Sequence, residues 1–158
     1  MALKTGTQAP EFTLFTKTAT GLESVTLSQA LSDSHVVLLF FPAAFTGVCT
    51  AELCDQSQGL HKYTALNCKV FGISCDSPFA QEAWSLDKGI MIPLLSDYKR
   101  EVTAAYDVVL PDLAGLGPAC KRAAFVVHQN GTIIYSEETA TPKELPDFEA
   151  VQKAMESL

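Results

Sequence analysis

The sequence is poor in positive charge and lacks the features that mark several functional classes. Its 11 lysines and arginines are outnumbered by 18 aspartates and glutamates, which gives a formal net charge of −7. Nucleic-acid binding needs clustered cations, so we expect no nucleic-acid partner. No apolar run is long enough to span a bilayer, so we expect no membrane partner either. No glycine-rich phosphate loop is present, which argues against a bound nucleotide.

The sequence also lacks a set of metal ligands with suitable spacing. The only three histidines, His35, His61 and His128, are scattered along the chain. A structural zinc site needs four ligands, and the neighbouring pair Cys49 and Cys54 supplies only two. We therefore expect no metal and no other cofactor.

Cysteines are present, but not in the pattern of a secreted protein. An odd number does not suit a disulfide framework, and a chain of 158 residues can bury a sizeable core without disulfides. The first ten residues contain no apolar signal segment. We therefore predict a single domain over residues 1–158, located in the cytoplasm, with one or two reactive thiols. The five cysteines are Cys49, Cys54, Cys68, Cys75 and Cys120.

The hydrophobic pattern alternates between strands and helices. Residues 35–41 form a continuous apolar run, which is typical of a strand buried on both faces. Gln129-Asn130-Gly131 is a strong hairpin signal. We predict strands at 12–16, 24–27, 35–41, 69–74, 93–96, 123–128 and 132–136, and helices at 27–31, 47–66, 78–88, 100–106 and 144–157. This order predicts an α/β, thioredoxin-like fold, with a central mixed sheet flanked by helices and an amino-terminal β-hairpin at its edge.

The segment 40–54, FFPAAFTGVCTAELC, carries the strongest chemical signal. A buried strand runs into Pro42, and Cys49 follows at the start of the next predicted helix. The free N–H groups and the positive dipole end of a helix amino terminus stabilise a thiolate. Cys49 is therefore a candidate nucleophile. The alternative is that it is a small buried side chain, as most unpaired cysteines are.

Pro42, Thr46 and Cys49 stand in the arrangement Pro-x-x-x-Thr-x-x-Cys, which resembles the peroxiredoxins, a family of thiol peroxidases. Residues 6–14 are similar to the family's G-x-x-A-P-x-F-x-L, and residues 93–97 (PLLSD) to another of its signatures. The single-domain AhpE and PrxQ (bacterioferritin comigratory protein) types are the most similar. The resemblance implies reduction of hydrogen peroxide and organic hydroperoxides without a prosthetic group.

The resemblance also implies roles for individual residues. Cys49 would be the nucleophile, Thr46 would bind the peroxide, and Pro42 would shield the sulfur. Arg122, in KRAAFVV, matches the family's catalytic arginine, whose planar charge would stabilise the thiolate and the leaving oxygen. The backbone N–H groups of Val48 and Cys49 should donate to the substrate.

Two further matches concern supporting residues. Glu52 matches a glutamate that orients the arginine, although a surface position on the helix is an alternative. Trp84 falls at a tryptophan position of the family and is expected behind the site or simply in the core.

The sulfenic acid left on Cys49 must be reduced by another thiol. Cys54 resembles the resolving cysteine of the PrxQ type, but five helical residues separate two Cα atoms by about 8.6 Å. A disulfide needs roughly 4.4–6.8 Å, so residues 46–56 would have to unwind locally. Cys120, two residues before Arg122, is an alternative partner, and Cys75 could lie on the same side of the sheet because it follows a strand end. For Cys68, Cys75 and Cys120 alike, however, we expect a packing role.

The sequence is also compatible with two other functions. A one-Cys enzyme would leave reduction to an external thiol, and a redox-sensing or chaperone-like module would use the oxidised state to bind partners. The expected reductants are thioredoxin, glutaredoxin or a low-molecular-weight thiol. The chain is expected to be a monomer or a homodimer, and Phe45 could contribute to a dimer contact.

Overall fold

The computed structural model describes every residue from Met1 to Leu158. The strands are β1 (Thr13–Thr18), β2 (Gly21–Thr26), β3 (His35–Phe40), β4 (Cys68–Ser74), β5 (Leu94–Ser96), β6 (Val109–Leu110), β7 (Ala119–Cys120), β8 (Ala123–Val127) and β9 (Ile133–Glu138). The helices are α1 (Leu27–Ala30), α2 (Gly47–Gln58), α3 (Leu60–Ala65), α4 (Pro78–Lys88), α5 (Glu101–Ala105) and α6 (Phe148–Glu156).

Seven of the strands form one mixed sheet in the order β2-β1-β5-β4-β3-β8-β9. The predicted hairpin of β1 and β2 lies at its edge, and β6 pairs with β7 in a separate antiparallel ribbon. Strand β3 is near the centre, parallel to β4 and antiparallel to β8. Its apolar residues are fully buried because both faces of the sheet are covered.

Side chains of β3 alternate between two apolar clusters. Val37 and Leu39 pack with Cys49 in the cluster that we call the Cys49 face, which is covered by α2, α3, α4 and α6. Val36 and Leu38 pack with Cys75 in the cluster that we call the Cys75 face, which is covered by α1 and α5. Each face of the sheet thus buries at least one cysteine.

The predicted strands and most predicted helices are confirmed, with shifts of a few residues at their ends. The prediction of one helix over 47–66 was wrong. The helix breaks at Gly59, which ends α2 and begins α3, since glycine is a poor helix former. The ribbon of β6 and β7 escaped prediction because two residues per strand show no periodicity. None of the helices is both long and apolar enough to cross a membrane.

Candidate active site

Cys49 is the third residue of α2, directly after the loop that follows β3. Because β3 and β4 are parallel, their carboxyl ends share one edge of the sheet, where sites in α/β folds commonly form. Cys49 is 2% exposed. In the loop before it, Phe45 adopts a left-handed backbone conformation with φ 62°, which is uncommon outside glycine.

Arg122 reaches Cys49 because of the register between β3 and β8. Its neighbour Ala123, the first residue of β8, pairs with Phe40, the last residue of β3. This pairing places Arg122 beside the start of α2, although 73 positions separate it from Cys49 in the sequence. The Nη2 of Arg122 donates to the Cys49 Sγ at 3.1 Å. A permanent positive charge therefore lies in contact with a buried sulfur.

Glu52 shares this buried position with Arg122. It lies one turn after Cys49 on α2, and its Oε2 forms an ion pair with Nη1 of Arg122. The other carboxylate oxygen, Oε1, is buried without a hydrogen-bond partner. Burial raises the pKa of Glu52 to about 7, although the charge of Arg122 and its hydrogen bond oppose the rise. The predicted surface alternative for Glu52 is therefore wrong.

The main-chain carbonyl of Pro142 fixes the remaining side of the guanidinium. It accepts from Nε of Arg122 at 3.1 Å and from Nη2 at 2.8 Å. Sequence reasoning missed this contact because a backbone oxygen has no side-chain signature. With Glu52 on the opposite side, the guanidinium is held in one plane beside Cys49.

Thr46 lies at the amino-terminal cap position of α2, but its side chain does not cap the helix. Its hydroxyl donates to the carbonyl of Ala43 at 2.7 Å, so its oxygen lone pairs remain able to accept. The backbone N–H groups of Val48 and Cys49 have no acceptor within the protein. Pro42 is buried just before this turn. Acceptor and donor groups thus lie together at the positive end of the helix dipole.

Trp84 lies behind the first turns of α2. It is fully buried on α4, and its Nε1 donates to the Thr50 Oγ1 at 3.1 Å. Its ring centroid is 5.3 Å from that of Phe41 and 6.4 Å from that of Phe45. Trp84 therefore joins α4 to the segment that carries Cys49.

Asp76 is a second residue that sequence reasoning missed. Its Oδ2 accepts from the backbone N–H of Ala44 at 2.8 Å and from the Ser74 hydroxyl at 2.7 Å. These bonds tie the loop before α2 to the end of β4. A carboxylate two residues beyond a buried parallel strand was the available signal.

The structure does not bring Cys54 to Cys49. Both belong to the continuous helix α2, and the Cys54 thiol donates to the carbonyl of Lys88 at 3.6 Å. Cys54 is half-buried, whereas the other four cysteines are buried. Cys120 belongs to the Cys75 face, which makes it a poor partner for Cys49. Cys68 is buried at the start of β4.

Together these groups can activate a sulfur nucleophile and receive negative charge on a leaving oxygen. No cluster of three or more histidine, cysteine, aspartate or glutamate side chains could hold a metal ion.

Comparisons with known proteins agree with this chemistry. The model of the AhpC/TSA family matches residues 5–136. Alkyl hydroperoxide reductase E from Mycobacterium tuberculosis is 34% identical over 137 residues, which cover 85% of this chain and 85% of that protein. A putative peroxiredoxin from Synechocystis sp. is 35% identical over 141 residues, which cover 85% of this chain and 68% of that protein.

Among solved structures, peroxidoxin BcpB from Mycobacterium tuberculosis is similar over nearly its whole length. The TM-score is 0.85 at 27% identity, and the match covers 99% of this chain and 98% of that one. This likeness confirms the predicted thioredoxin-like fold.

Proposed function

Because this chain belongs to the AhpC/TSA family of peroxiredoxins and is therefore a thiol-dependent peroxidase, we propose that Cys49 is the thiol that attacks the peroxide. The observation that carries this proposal is the buried contact of 3.1 Å between the Cys49 Sγ and Nη2 of Arg122. A guanidinium in that position favours the thiolate, which is the reactive form of cysteine.

In the proposed step the Cys49 thiolate attacks the terminal oxygen of a hydroperoxide. The S–O bond forms as the O–O bond breaks, and the O–O electron pair leaves with the second oxygen. That oxygen takes a proton from water and departs as water or an alcohol, while Cys49 becomes a sulfenic acid. Arg122 and the free N–H groups of Val48 and Cys49 stabilise the developing negative charge. Thr46 accepts the O–H of the bound hydroperoxide.

Glu52 supports this role of Arg122. At neutral pH its carboxyl carries a proton for part of the time, because its pKa is raised to about 7. In that state the guanidinium charge is not shared with a second anion and acts on Cys49. Glu52 and Pro142 also hold the guanidinium in place. Glu52 is thus a positioning residue, and Pro42 limits access of water to the sulfur.

For the second step we propose that Cys54 attacks the Cys49 sulfenic acid, which releases water and leaves a disulfide. Support comes from its exposure, since it is the only cysteine that is not buried. The step requires α2 to unwind, because a disulfide cannot span a separation of about 8.6 Å along an intact helix. Thioredoxin, glutaredoxin or a low-molecular-weight thiol then restores both thiols.

A one-Cys cycle is the second candidate. The observation in its favour is that α2 is unbroken and the Cys54 thiol is bonded to the Lys88 carbonyl. An external thiol would then reduce the sulfenic acid directly. A redox-sensing or chaperone-like role would use the same oxidised state.

The cellular setting is also part of the proposal. A cytoplasmic location would supply the thiol reductants. The chain would act as a monomer or as a homodimer in which a second copy covers Phe45, which is 56% exposed beside the site.

The test is the intact mass of the reduced protein after one equivalent of hydrogen peroxide, followed by peptide mapping. Loss of two hydrogens with Cys49 linked to Cys54 would support the two-Cys cycle. Gain of one oxygen on Cys49, with Cys54 still free, would support the one-Cys cycle. Cys54→Ser is the matched variant and should stop at the sulfenic acid in both cases. An unmodified Cys49 would contradict the proposed nucleophile.

A further inference from the structure

A second pair of cysteines lies on the opposite side of the sheet from Cys49. Cys75 follows β4 directly, and Cys120 ends β7. They are 45 positions apart in the sequence, yet their sulfur atoms are 3.5 Å from each other in the Cys75 face. A disulfide requires about 2.05 Å, so the two atoms need to approach by roughly 1.5 Å more. No helix has to unwind for this approach.

A polar chain leads away from the two sulfurs. The Thr103 Oγ1 lies 3.0 Å from the Cys120 Sγ and 3.6 Å from the Cys75 Sγ. The Thr103 hydroxyl donates to the Asp97 carboxylate at 2.6 Å, so its lone pairs are available to the thiol protons. Thr103 and Asp97 are each only 1% exposed. The chain thus offers an acceptor for a thiol proton, while the charge of Asp97 raises the pKa of both thiols and does not itself favour the thiolate.

We propose that Cys75 and Cys120 form a second redox site, which hydroperoxide converts into an intramolecular disulfide. One sulfur attacks the peroxide, the O–O bond breaks, and a sulfenic acid and a molecule of water or alcohol result. The other thiol attacks that sulfenic sulfur, the S–S bond forms, and water leaves. The two thiols lose two electrons and two protons in total, and the peroxide gains them.

Cys75 is the sulfur that reacts first. It retains 9% exposure, whereas Cys120 is fully buried. The pKa of the Cys75 thiol is lowered because the Cys120 thiol donates to its sulfur, and the same bond together with burial raises the pKa of Cys120. The proton therefore stays on Cys120, and the thiolate forms at the more accessible atom.

This site is slower than Cys49 and independent of it. No guanidinium contacts either sulfur, so we expect its reaction with peroxide to be slower by about a thousandfold or more. The pair of Cys75 and Cys120 would be oxidised when peroxide persists, and not in each catalytic cycle of Cys49. The inference goes beyond the proposed function and does not rest on it, because the oxidation can be followed without Cys49.

The experiment uses the full chain with Cys49→Ser and Cys54→Ser, which removes the first pair of thiols. The reduced protein is treated with excess hydrogen peroxide, its free thiols are alkylated after denaturation, and its peptides are mapped. We expect a loss of two hydrogens and a crosslink between the peptides of Cys75 and Cys120. Cys68 should be alkylated in full, because it is buried without a second sulfur and burial raises its pKa to about 11.

The matched variant adds Cys120→Ala to the same background, and its circular dichroism spectrum checks that it folds. It should form no crosslink. The proposal is overturned if Cys75 and Cys120 both remain free after excess peroxide has acted for well over about a thousand times the time that oxidises Cys49 of the wild-type protein completely. Oxidation of Cys75 to the sulfinic acid, with no crosslink to Cys120, would overturn it as well.

Discussion

The two faces of the sheet each contain a cysteine site, and the two sites are built in opposite ways. On the Cys49 face, one sulfur contacts a buried guanidinium, while Cys54 is five residues away and out of reach. On the Cys75 face, Cys75 and Cys120 are far apart in the sequence and in contact in space, but no cation touches them. The first arrangement favours fast attack on a substrate, and the second favours rapid closure of a disulfide.

The comparison separates two requirements that a redox thiol can meet. Reactivity toward peroxide depends on the electrostatic surroundings of a single sulfur, which α2 and Arg122 provide. Disulfide formation depends on the distance between two sulfurs, which the sheet topology provides for Cys75 and Cys120. Where two sulfurs are too far apart for a disulfide, part of the chain must move to bring them together. For Cys49 and Cys54 this movement would be the unwinding of α2.

The largest expected difference between the faces is in the rate of peroxide reduction. Cys49→Ser should lower this rate by at least about a thousandfold, because it removes the proposed nucleophile. Cys68→Ala, which changes a buried cysteine on the same face, should leave the rate unchanged. Peroxide consumption in the presence of a dithiol reductant measures both. Turnover by the Cys49→Ser variant at a rate near that of wild type would assign the activity to the other face.

The next prediction concerns the cation that distinguishes the Cys49 face. Arg122→Lys keeps the charge but cannot contact Cys49, Glu52 and the Pro142 carbonyl at once, so the rate with peroxide should fall by about 10²–10³-fold. Stopped-flow fluorescence can follow the reaction of Cys49 with peroxide. The signal comes from Trp84, which is the only tryptophan and packs against Phe45 in the loop before Cys49.

The matched control for Arg122→Lys is Arg100→Lys. Arg100 is exposed and donates to the Pro118 carbonyl, away from the proposed nucleophile. Its replacement should not change the rate. Equal rates for both lysine variants and wild type would mean that the buried guanidinium contributes no more than an exposed one.

A third prediction uses the pKa of Glu52, which burial raises from 4.5 to about 7. Between these values the unfolded chain loses its proton while the folded protein keeps it, so folding stability falls as pH rises through this window. Glu52→Gln does not titrate. The free energy of unfolding of this variant minus that of wild type should therefore rise by about 3 kcal/mol from pH 4.5 to pH 7.

Urea unfolding at a series of pH values measures this effect. The titratable and charged groups that interact with Glu52 are Arg122 and Tyr63, and Cys49 contacts the same guanidinium. Glu149→Gln on the exposed side of α6 is the control, and its curve should run parallel to that of wild type. A Glu52→Gln curve that is also parallel would show that the carboxyl of Glu52 loses its proton over the same pH range in the folded protein as in the unfolded chain.

The sequence predicted the Cys49 face better than the Cys75 face for a physical reason. Cys49 and Thr46 lie one helical turn apart, so local spacing is enough to relate them. Arg122 could be assigned only through resemblance, because its contact with Cys49 depends on the pairing of β8 with β3. Cys75 and Cys120 had neither a local pattern nor a resemblance, so they were predicted to be packing residues, and only the fold brings them together.

The Pro142 carbonyl and the break at Gly59 were missed for two different reasons. The carbonyl contributes through its position alone, and that position is set by the chain after β9. The break at Gly59 has a local cause, since glycine is a poor helix former, but a single glycine is also tolerated inside helices and so does not by itself predict a helix end.

The smallest predicted effect tests whether movement of α2 limits disulfide formation on the Cys49 face. The Thr50 hydroxyl accepts from the buried indole N–H of Trp84 and thereby joins the first turns of α2 to α4. Thr50→Val keeps the volume but leaves that N–H unpaired, at a cost of about 1 kcal/mol or more to the folded helix. Unwinding should become easier, and the Cys49–Cys54 disulfide should form about fivefold faster after peroxide attack.

Rapid quenching with an alkylating reagent measures the rate of disulfide formation, and hydrogen exchange of the α2 amides measures the opening itself. Thr64→Val on α3 is the matched control, because the Thr64 hydroxyl bonds only to the carbonyl one turn earlier. The Cys75–Cys120 crosslink should form at an unchanged rate in both variants, since its sulfurs are already in contact. If Thr50→Val increased amide exchange in α2 without faster disulfide formation, unwinding would not be the slow step.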